Sequence, residues 1–589
     1  MIVIFGGTTE GRLAVEVCEE AGKTFYYSTK GSHQNIKMYN GVHLYGAMDT
    51  NDIIAFCKEK DIRCVIDAAH PFAENLHAAI AETGMPVIRL MRKCFNRRDD
   101  VVFCKDYEDA VDKLNAADIR CLLALTGVNT IAKLDGYWKH HKTIFRILRR
   151  AESMEKALAS GFPSSNLIFY ADSATLPSEE DERNMMRSIG CDAMITKDSG
   201  ESGGFDAKVD AAISLGIKVF VIEPPPILPQ KGRGEEWVFV TGRYGLRRAI
   251  EKIVPEFFPL KTGYTTGACA TAATKAALLS LLFDEVSEET SFSLPDKETM
   301  SIPVCVESRG CASAVKDYSD DPDVTKGCKI TSRVEQRNDN KIVFSRGRGV
   351  GIVTLPGLGI PVGEPAINPT PRKMIEDEIR QVSDKGFTVT ISVENGEELA
   401  KKTFNSRVGV LDGISIIGTS GIVSPLSNEA FIQSISRELE VAKAMGCDNI
   451  ALVAGKKSED AIRKSLKHKD VRCIHCGNFI GDSLQAAHRL GFKKVVLGMM
   501  IGKAVKLAEG HLNTHSHKVV MNRQFLKGIA GEETDKIDHI TLARELWQIM
   551  PPEFFGAIRD MCYKHCKTIF QDNSLEVVLI DEQGKIYEE

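Results

Sequence analysis

Residues 1–13 read MIVIFGGTTEGRL. Ile2 to Phe5 are four apolar residues in a row, the signature of a strand buried on both faces of a parallel sheet. Gly6, Gly7, Thr8, Thr9, Glu10 and Gly11 make a turn. From Arg12 to Glu20 the apolar Leu13 and Val17 recur at helical spacing, and Gly22 stands where a helix ends. Strand, glycine turn, helix is the arrangement in which the free N–H groups of a helix start suit a pyrophosphate. The spacing is G-x-T-x-x-G, so Thr8 replaces the central glycine of the usual dinucleotide fingerprint. An ordinary tight turn between strand and helix has the same composition, so the next segments must decide.

Thr24 to Ser28 (TFYYS) read as the second strand, ending in Ser28, Thr29 and Lys30. An NAD site would place a carboxylate there for the ribose hydroxyls. Two hydroxyls and an ammonium suit a 2′-phosphate instead, which favours NADPH over NADH. Strands follow at Arg63–Ala68, Pro86–Leu90, Cys121–Thr126, Thr143–Leu148, Asn166–Tyr170, Ala193–Thr196 and Lys218–Ile222. Strands alternating with helices predict α/β architecture with parallel sheets covered on both faces. Two Rossmann-like lobes are expected, about 1–130 and 131–252. The polar turn TKDSGESGGFDAK, Thr196 to Lys208, lies at a strand's carboxyl end, where open α/β sheets bind ligands. His70 holds an equivalent place before Pro71; a helix-start residue and a substrate contact are both open readings.

Composition bounds the function. At 589 residues the chain is too long for one core, and about 150 residues per domain suggests roughly four. A net charge of -5 argues against a dedicated nucleic-acid binder but leaves room for a locally basic pocket. No apolar run of membrane-spanning length and no signal peptide are read, so a cytoplasmic protein without a membrane partner is expected. The 16 cysteines form no disulfide framework, and Cys473 and Cys476 lack the second pair of a zinc site.

FGGTTEGRLA, DAAHPFAENLH and ITKDSGESGG, in this order, resemble the precorrin-6A reductase family over about residues 1–252. That resemblance implies reduction of a corrin precursor by a nicotinamide cofactor, with the active site between two lobes. It carries the nucleotide role onto Gly6, Gly7, Thr8, Thr9, Glu10 and Gly11. It also makes Lys197, Asp198, Ser199 and Gly200 ligand-facing.

Ile253 to Leu260 (IVPEFFPL) reads as a short stiff joint. KTGYTTGACATAATKAA, residues 261–277, then leads a Gly/Thr turn into an alanine-rich helix with Thr265 or Thr266 as its N-cap. Its first N–H groups would attract a carboxylate. Cys269 sits in that first turn, and a buried thiol is favoured over a nucleophile. Residues 345–374 are rich in glycine and proline; Arg346, Arg348 and Arg372 could pair with carboxylates, though solvated surface charge is the plainer reading of each. Gly413–Ile417 reads as a strand ending in Gly418, Thr419, Ser420 and Gly421, a turn suited to an adenosyl cofactor. A helix from Asn428 to Met445 and strands at Asn449–Ala454 and Val495–Met499 continue the α/β rhythm. In HLNTHSH, residues 511–517, hydrogen bonding or capping by Asn513 and Thr514 outweighs a metal site, so no metal is expected.

KTGYTTGACA, GVGIVTLPGLGIPVGEPAINPTPR, GTSGIVSP, GNFIGDSL and IGKAVKLAEGHLNTHSH resemble the cobalt-precorrin-5B C1-methyltransferase family over about residues 259–589. The resemblance implies S-adenosyl-L-methionine as cofactor. It implies an α+β domain resembling a permuted ribosomal S5-type domain, about 261–405, and a further Rossmann-like domain, 406–589. Substrate-side roles fall on Lys261, Thr262, Gly263, Tyr264, Thr265, Thr266, Arg372, Asn513, Thr514, His515 and His517. The turn 418–421 is the adenosyl candidate.

Together the resemblances imply a bifunctional enzyme of anaerobic cobalamin biosynthesis. It would methylate cobalt-precorrin-5B at C1 and reduce the cobalt-precorrin-6A so formed with NADPH, NADH being allowed. The partners are then polycarboxylate cobalt-corrinoids, and a homo-oligomer is allowed. One rival is an NADP-dependent reductase fused to an unrelated ligand-binding half. Another is an NADPH-binding regulatory scaffold without turnover.

Overall fold

A computed structural model describes residues 1–31, 36–92, 100–170, 177–198, 204–225, 237–425, 428–468, 471–515, 519–571 and 574–587. The fold is mixed α/β with parallel sheets. The chain divides into two compact units, Met1–Pro259 with Glu298–Met300, and Leu260–Lys297 with Ser301–Glu589.

In the first unit the strands are β1 (Ile2–Phe5), β2 (Phe25–Thr29), β3 (Gly41–Tyr45), β4 (Cys64–Asp67), β5 (Val87–Met91), β6 (Val101–Cys104), β7 (Leu122–Ala124), β8 (Thr143–Ile147), β9 (Leu167–Phe169), β10 (Ala193–Lys197), β11 (Lys218–Ile222) and β12 (Trp237–Thr241). They form two six-stranded sheets, ordered β12-β5-β4-β1-β2-β3 and β6-β11-β10-β7-β8-β9. Every pairing in both is parallel. β1 lies at the middle of the first sheet, with Ile4 opposite Tyr27 on one side and Ile66 on the other. All four of its residues are buried, as its uninterrupted apolar run requires.

The lobes do not divide near residue 130. β6 and β7 already belong to the second sheet, and β12 returns to the first to pair with β5. The second lobe is thus inserted between β5 and β12. Both lobes use the same alternation of strand and helix, so nothing local says which sheet a strand joins. A buried ion pair helps seat the second lobe. Arg146 of β8 donates from Nη1 to both Glu182 oxygens at 2.9 and 2.7 Å, and its guanidinium lies 4.0 Å from the Tyr170 ring centroid. Glu182 lies on the helix Glu179–Ile189, which starts in a capping box of Ser178 and Asp181.

The second unit contains a five-stranded sheet in the order Cys305–Ser308, Cys311–Val315, Lys329–Gln336, Phe387–Val393, Ile342–Arg346, antiparallel except for its last pairing. The helix Thr266–Phe283 packs against it. Among the described residues this is the one helix long and apolar enough to cross a membrane, and 72% of it is buried as the core helix of the unit. A four-stranded parallel sheet follows, ordered Arg472–His475, Asn449–Val453, Lys494–Met500, Ser574–Ile580. Gly413–Ile417 is no strand of that sheet. Ile414 and Ile416 make only isolated bridges to Val350 and Ile367.

The Arg146–Glu182 pair carries a prediction. Glu182→Ala leaves a buried guanidinium without its carboxylate and should destabilise the first unit by about 3–5 kcal/mol. Urea unfolding followed by circular dichroism checks this. Joint replacement of both residues by apolar ones should recover most of the loss.

Candidate functional site

The opening turn is shaped from beneath by one side chain. A Cβ on Gly6 would fall 2.4 Å from the Tyr27 ring, and one on Gly11 would fall 2.9 Å from both the Tyr27 hydroxyl and the Gly6 Cα. Neither position admits another residue without repacking. Gly7 differs: its φ is +99° and a Cβ there would meet nothing within 4 Å. Thr8 caps the helix Thr9–Glu19, its hydroxyl oxygen accepting from Gly11 N at 3.1 Å and donating to Ala68 O at 2.8 Å. Gly7 N donates to the Tyr27 hydroxyl, and Gly6 N to Ser28 O. Among the described residues nothing accepts from the Thr9 and Glu10 N–H groups, one and two residues into the helix. These two groups and the open face at Gly7 fit a phosphate.

At the end of β2 the hydroxyls are committed inward. Ser28 and Thr29 are buried; Thr29 Oγ1 donates to Gly31 O at 3.0 Å and lies 2.8 Å from His43 Nε2. Only Lys30 of this trio is exposed. The expectation that both hydroxyls face a 2′-phosphate is corrected accordingly.

Beside the turn, the carboxyl end of β4 holds a cluster absent from the sequence reading. Asp67, fully buried, accepts from Arg89 Nη1 at 2.7 Å and lies 2.8 Å from His77 Nδ1. Arg89 interrupts the apolar strand VIRLM, and a charge in a strand buried on both faces was the signal available. His70 stands above this cluster. Phe72 N donates to its Nδ1 at 3.2 Å, so the ring proton belongs on Nε2. Burial, then the charges of Arg92 and Lys197, hold His70 down to about 4. Arg92 follows β5 and pairs with Glu10 of the opening turn at 2.8 Å.

Lys197 ends β10 in the second lobe, with its ammonium 5.1 Å from the Phe72 ring centroid. Burial and the neighbouring Lys133 push it down to about 8. No carboxylate pairs with it among the described residues. An unpaired, half-buried ammonium across from His70 is suited to an anionic ligand. Asp198 follows it, its N–H donating to Ile222 O. Ser199 and Gly200 lie outside the described residues.

In the second unit, two motifs about 150 residues apart in sequence meet at the start of the helix Thr266–Phe283. Gly263–Tyr264 pairs antiparallel with Ile422–Val423, and Thr265 N donates to Gly421 O at 3.0 Å. A Cβ on Gly418 would fall 2.3 Å from Thr265 Oγ1, and one on Gly421 2.4 Å from Leu294. The turn 418–421 therefore lies against this helix and not at the carboxyl end of the parallel sheet. Its glycines answer to protein neighbours, while Thr419 is exposed and Ser420 closes on Ile422. The helix start is satisfied internally: Gly267 N donates to Ile417 O and Ala268 N to Thr265 Oγ1. The expectation of N–H groups free for a carboxylate is overturned at those two positions. Cys269 is fully buried and burial pushes its thiol far up, so it is a core residue.

Lys261 is exposed and Thr262 buried; Lys261 N donates to Asp320, and Tyr264 N to Asp317. Arg372 is a clamp for its own loop. It donates to Ile367 O at 2.8 Å and Pro365 O at 3.2 Å and pairs with Glu364 at 2.8 Å. Each guanidinium nitrogen thus has one partner within the chain.

A second gathering lies at the carboxyl end of the four-stranded sheet. Lys503 Nζ donates to Ala454 O at 2.8 Å and Gly477 O at 2.9 Å, linking the loops after two adjacent strands. Thr514 N donates to Asn478 O, Lys506 Nζ to Thr514 O, and His515 N to the Asn513 side chain. The motifs GNFIGDSL and HLNTHSH are thus packed together. His517 lies outside the described residues. Beside them Glu459 receives bonds from His475, Arg407 and Arg463, which outweigh burial and hold it at about 2. No group of three or more metal-binding side chains is found among the described residues.

Residues 1–239 match the family described as precorrin-6x reductase CbiJ/CobK, and residues 255–425 match the CbiD family. The cobalt-precorrin-5B C(1)-methyltransferase of Prosthecochloris aestuarii is 41% identical over 348 residues, 55% of this chain and 94% of the relative. That of a Geobacillus species is 43% identical over 297 residues, 49% and 81% respectively. A solved structure described as CobK precorrin-6A reductase aligns with 43% of this chain and 97% of its own at 20% identity, with a TM-score of 0.35, too low to bear on the fold.

The burial of His70 has a pH consequence. Its folded value of about 4 lies below the ordinary 6.5, so between these values the unfolded chain takes up a proton that the folded chain refuses. Stability should therefore fall as pH drops through that window. Denaturant titrations between pH 7 and pH 4 should show a shallower fall for His70→Gln than for the natural chain.

Proposed function

The chain belongs to the cobalt-precorrin-5B C(1)-methyltransferase family, and from that premise we propose that it methylates cobalt-precorrin-5B at C1 and then reduces the product, cobalt-precorrin-6A, to cobalt-precorrin-6B. It is a bifunctional enzyme of cobalamin biosynthesis, a C-methyltransferase and an oxidoreductase. The observation that carries the pairing of the two steps is the presence of both families on one chain, one over residues 1–239 and the other over residues 255–425.

For the reductase the cofactor is NADPH, or NADH, which supplies a hydride when bound. The turn Gly6–Gly11 takes its phosphates through the Thr9 and Glu10 N–H groups, and Lys30 takes the 2′-phosphate. His70, Lys197 and Asp198 face the corrinoid, Ser199 and Gly200 being assigned with them. Lys197 meets one of its carboxylates. This local positive charge is what an acidic chain needs to hold a polyanion.

For the methyltransferase the cofactor is S-adenosyl-L-methionine, which supplies an electrophilic methyl group. The turn 418–421 and Lys261–Thr266 form one binding edge, with Thr419 and Lys261 as its exposed members. Asn513, Thr514, His515 and His517 form the other. Holding the methyl and the ring carbon in line supplies much of the rate. We read residues 261–405 as the permuted S5-type domain, and the whole chain as cytoplasmic.

Anaerobic incubation with cobalt-precorrin-5B and S-adenosyl-L-methionine tests the reading by mass spectrometry. One methyl should be gained without NADPH, and two hydrogens more with it. NADPH binding without either change would favour the scaffold. Lys30→Glu should raise the KM for NADPH about tenfold or more and leave that for NADH within about twofold, measured by steady-state reduction.

A further inference from the structure

The cluster beneath His70 is costly to bury. Asp67 and Arg89 are 0% and 1% exposed on the central strands β4 and β5, and His77, 6% exposed, reaches them from the helix Glu74–Ala81. Desolvating such a group commonly costs as much as its internal pairing returns, so apolar residues would serve stability equally well. What the cluster does that apolar residues cannot is fix a backbone. Asp67 Oδ1 accepts from Ala69 N at 3.2 Å, and Arg89 Nη1 also donates to Asp67 O at 3.2 Å. His77 reaches both ways: its Nδ1 meets Asp67, and its Nε2 lies 3.0 Å from His70 O. Thr8 of the opening turn holds Ala68 O. Residues 67 to 70 are therefore pinned at successive backbone groups from below by the cluster and from the side by the nucleotide turn.

We propose that Asp67, Arg89 and His77 are positioning residues for the reduction: they hold the turn 68–72 at a fixed place against the nucleotide turn, so that the Nε2–H of His70 is presented at one point beside the bound cofactor. The inference rests on the reading of this unit as a nicotinamide-dependent reductase. His77 acts through His70, Asp67 acts through His77 and through Ala69 N, and Arg89 acts through Asp67.

A double-mutant cycle in the full chain tests it. His77→Asn keeps a donor near the place of Nδ1 and loses the bond to His70 O; His77→Gln keeps a donor near the place of Nε2. His77→Asn should lower kcat/KM for corrinoid reduction about tenfold. NADPH affinity, read by cofactor fluorescence, should stay within about twofold, which also reports that the unit is folded. His77→Gln should retain more activity than His77→Asn. In a His70→Ala background, adding His77→Asn should cost less than about twofold, because the group it positions is gone. An equal loss in both backgrounds, or no loss in either, overturns the inference while leaving the reductase reading standing. A natural chain that binds NADPH and leaves cobalt-precorrin-6A unreduced overturns both.

Discussion

A strand buried on both faces of a parallel sheet cannot place a polar group along its length without cost, so polarity is pushed to its ends. In the first unit this constraint organises everything else. β1, β4, β5 and β10 all run the same way within their sheets, and each hands its chain to a polar turn at the carboxyl edge. The glycine turn, His70, Arg92 and Lys197 are the four products. The first three need no mutual sequence signal to meet, because parallel topology delivers them to one edge, whereas Lys197 comes from the second sheet and meets them over the Phe72 ring. Asp67 and Arg89 are the exception that tests the rule, being charges left inside, and they are tied to the backbone of the turn above.

Much of this was legible in the residues. Strands with unbroken apolar runs, such as IVIF, CVI and VFVI, stand out from their neighbours. In the first unit the strands without a clear sequence signal are β3, β6 and β12. β3 and β12 are half-buried edge strands whose mixed composition looks like loop, and β6 is also an edge. Two of these edges decide the lobe boundary, so missing them misplaced it. Short-range pattern tells strand from helix and is silent about which sheet accepts a strand.

Side-chain roles were less legible for a related reason. Ser28, Thr29 and Arg372 were chosen because their chemistry suits an anion. Thr29 and Arg372 instead bond nearby carbonyls, Thr29 also a ring nitrogen, and the buried Ser28 hydroxyl points to the Met48 sulfur. Sequence shows what a group can bond, and only the fold shows what has already taken the bond. The glycines divide likewise. Gly6, Gly11, Gly418 and Gly421 make room for Tyr27, Thr265 and Leu294, whereas Gly7 alone of these faces open space. Motif matching gives all five the same weight.

The return of β12 to the first sheet has a consequence for biosynthesis of the chain itself. Val87 waits for Trp237, and the whole second lobe must leave the ribosome before that edge of β5 is covered. Until then the nascent protein carries an exposed parallel edge, an invitation to pairing with another copy. Such long-range closure is slow. A chain that places this half first gives it the time needed to translate the second unit, so the edge can close while synthesis continues.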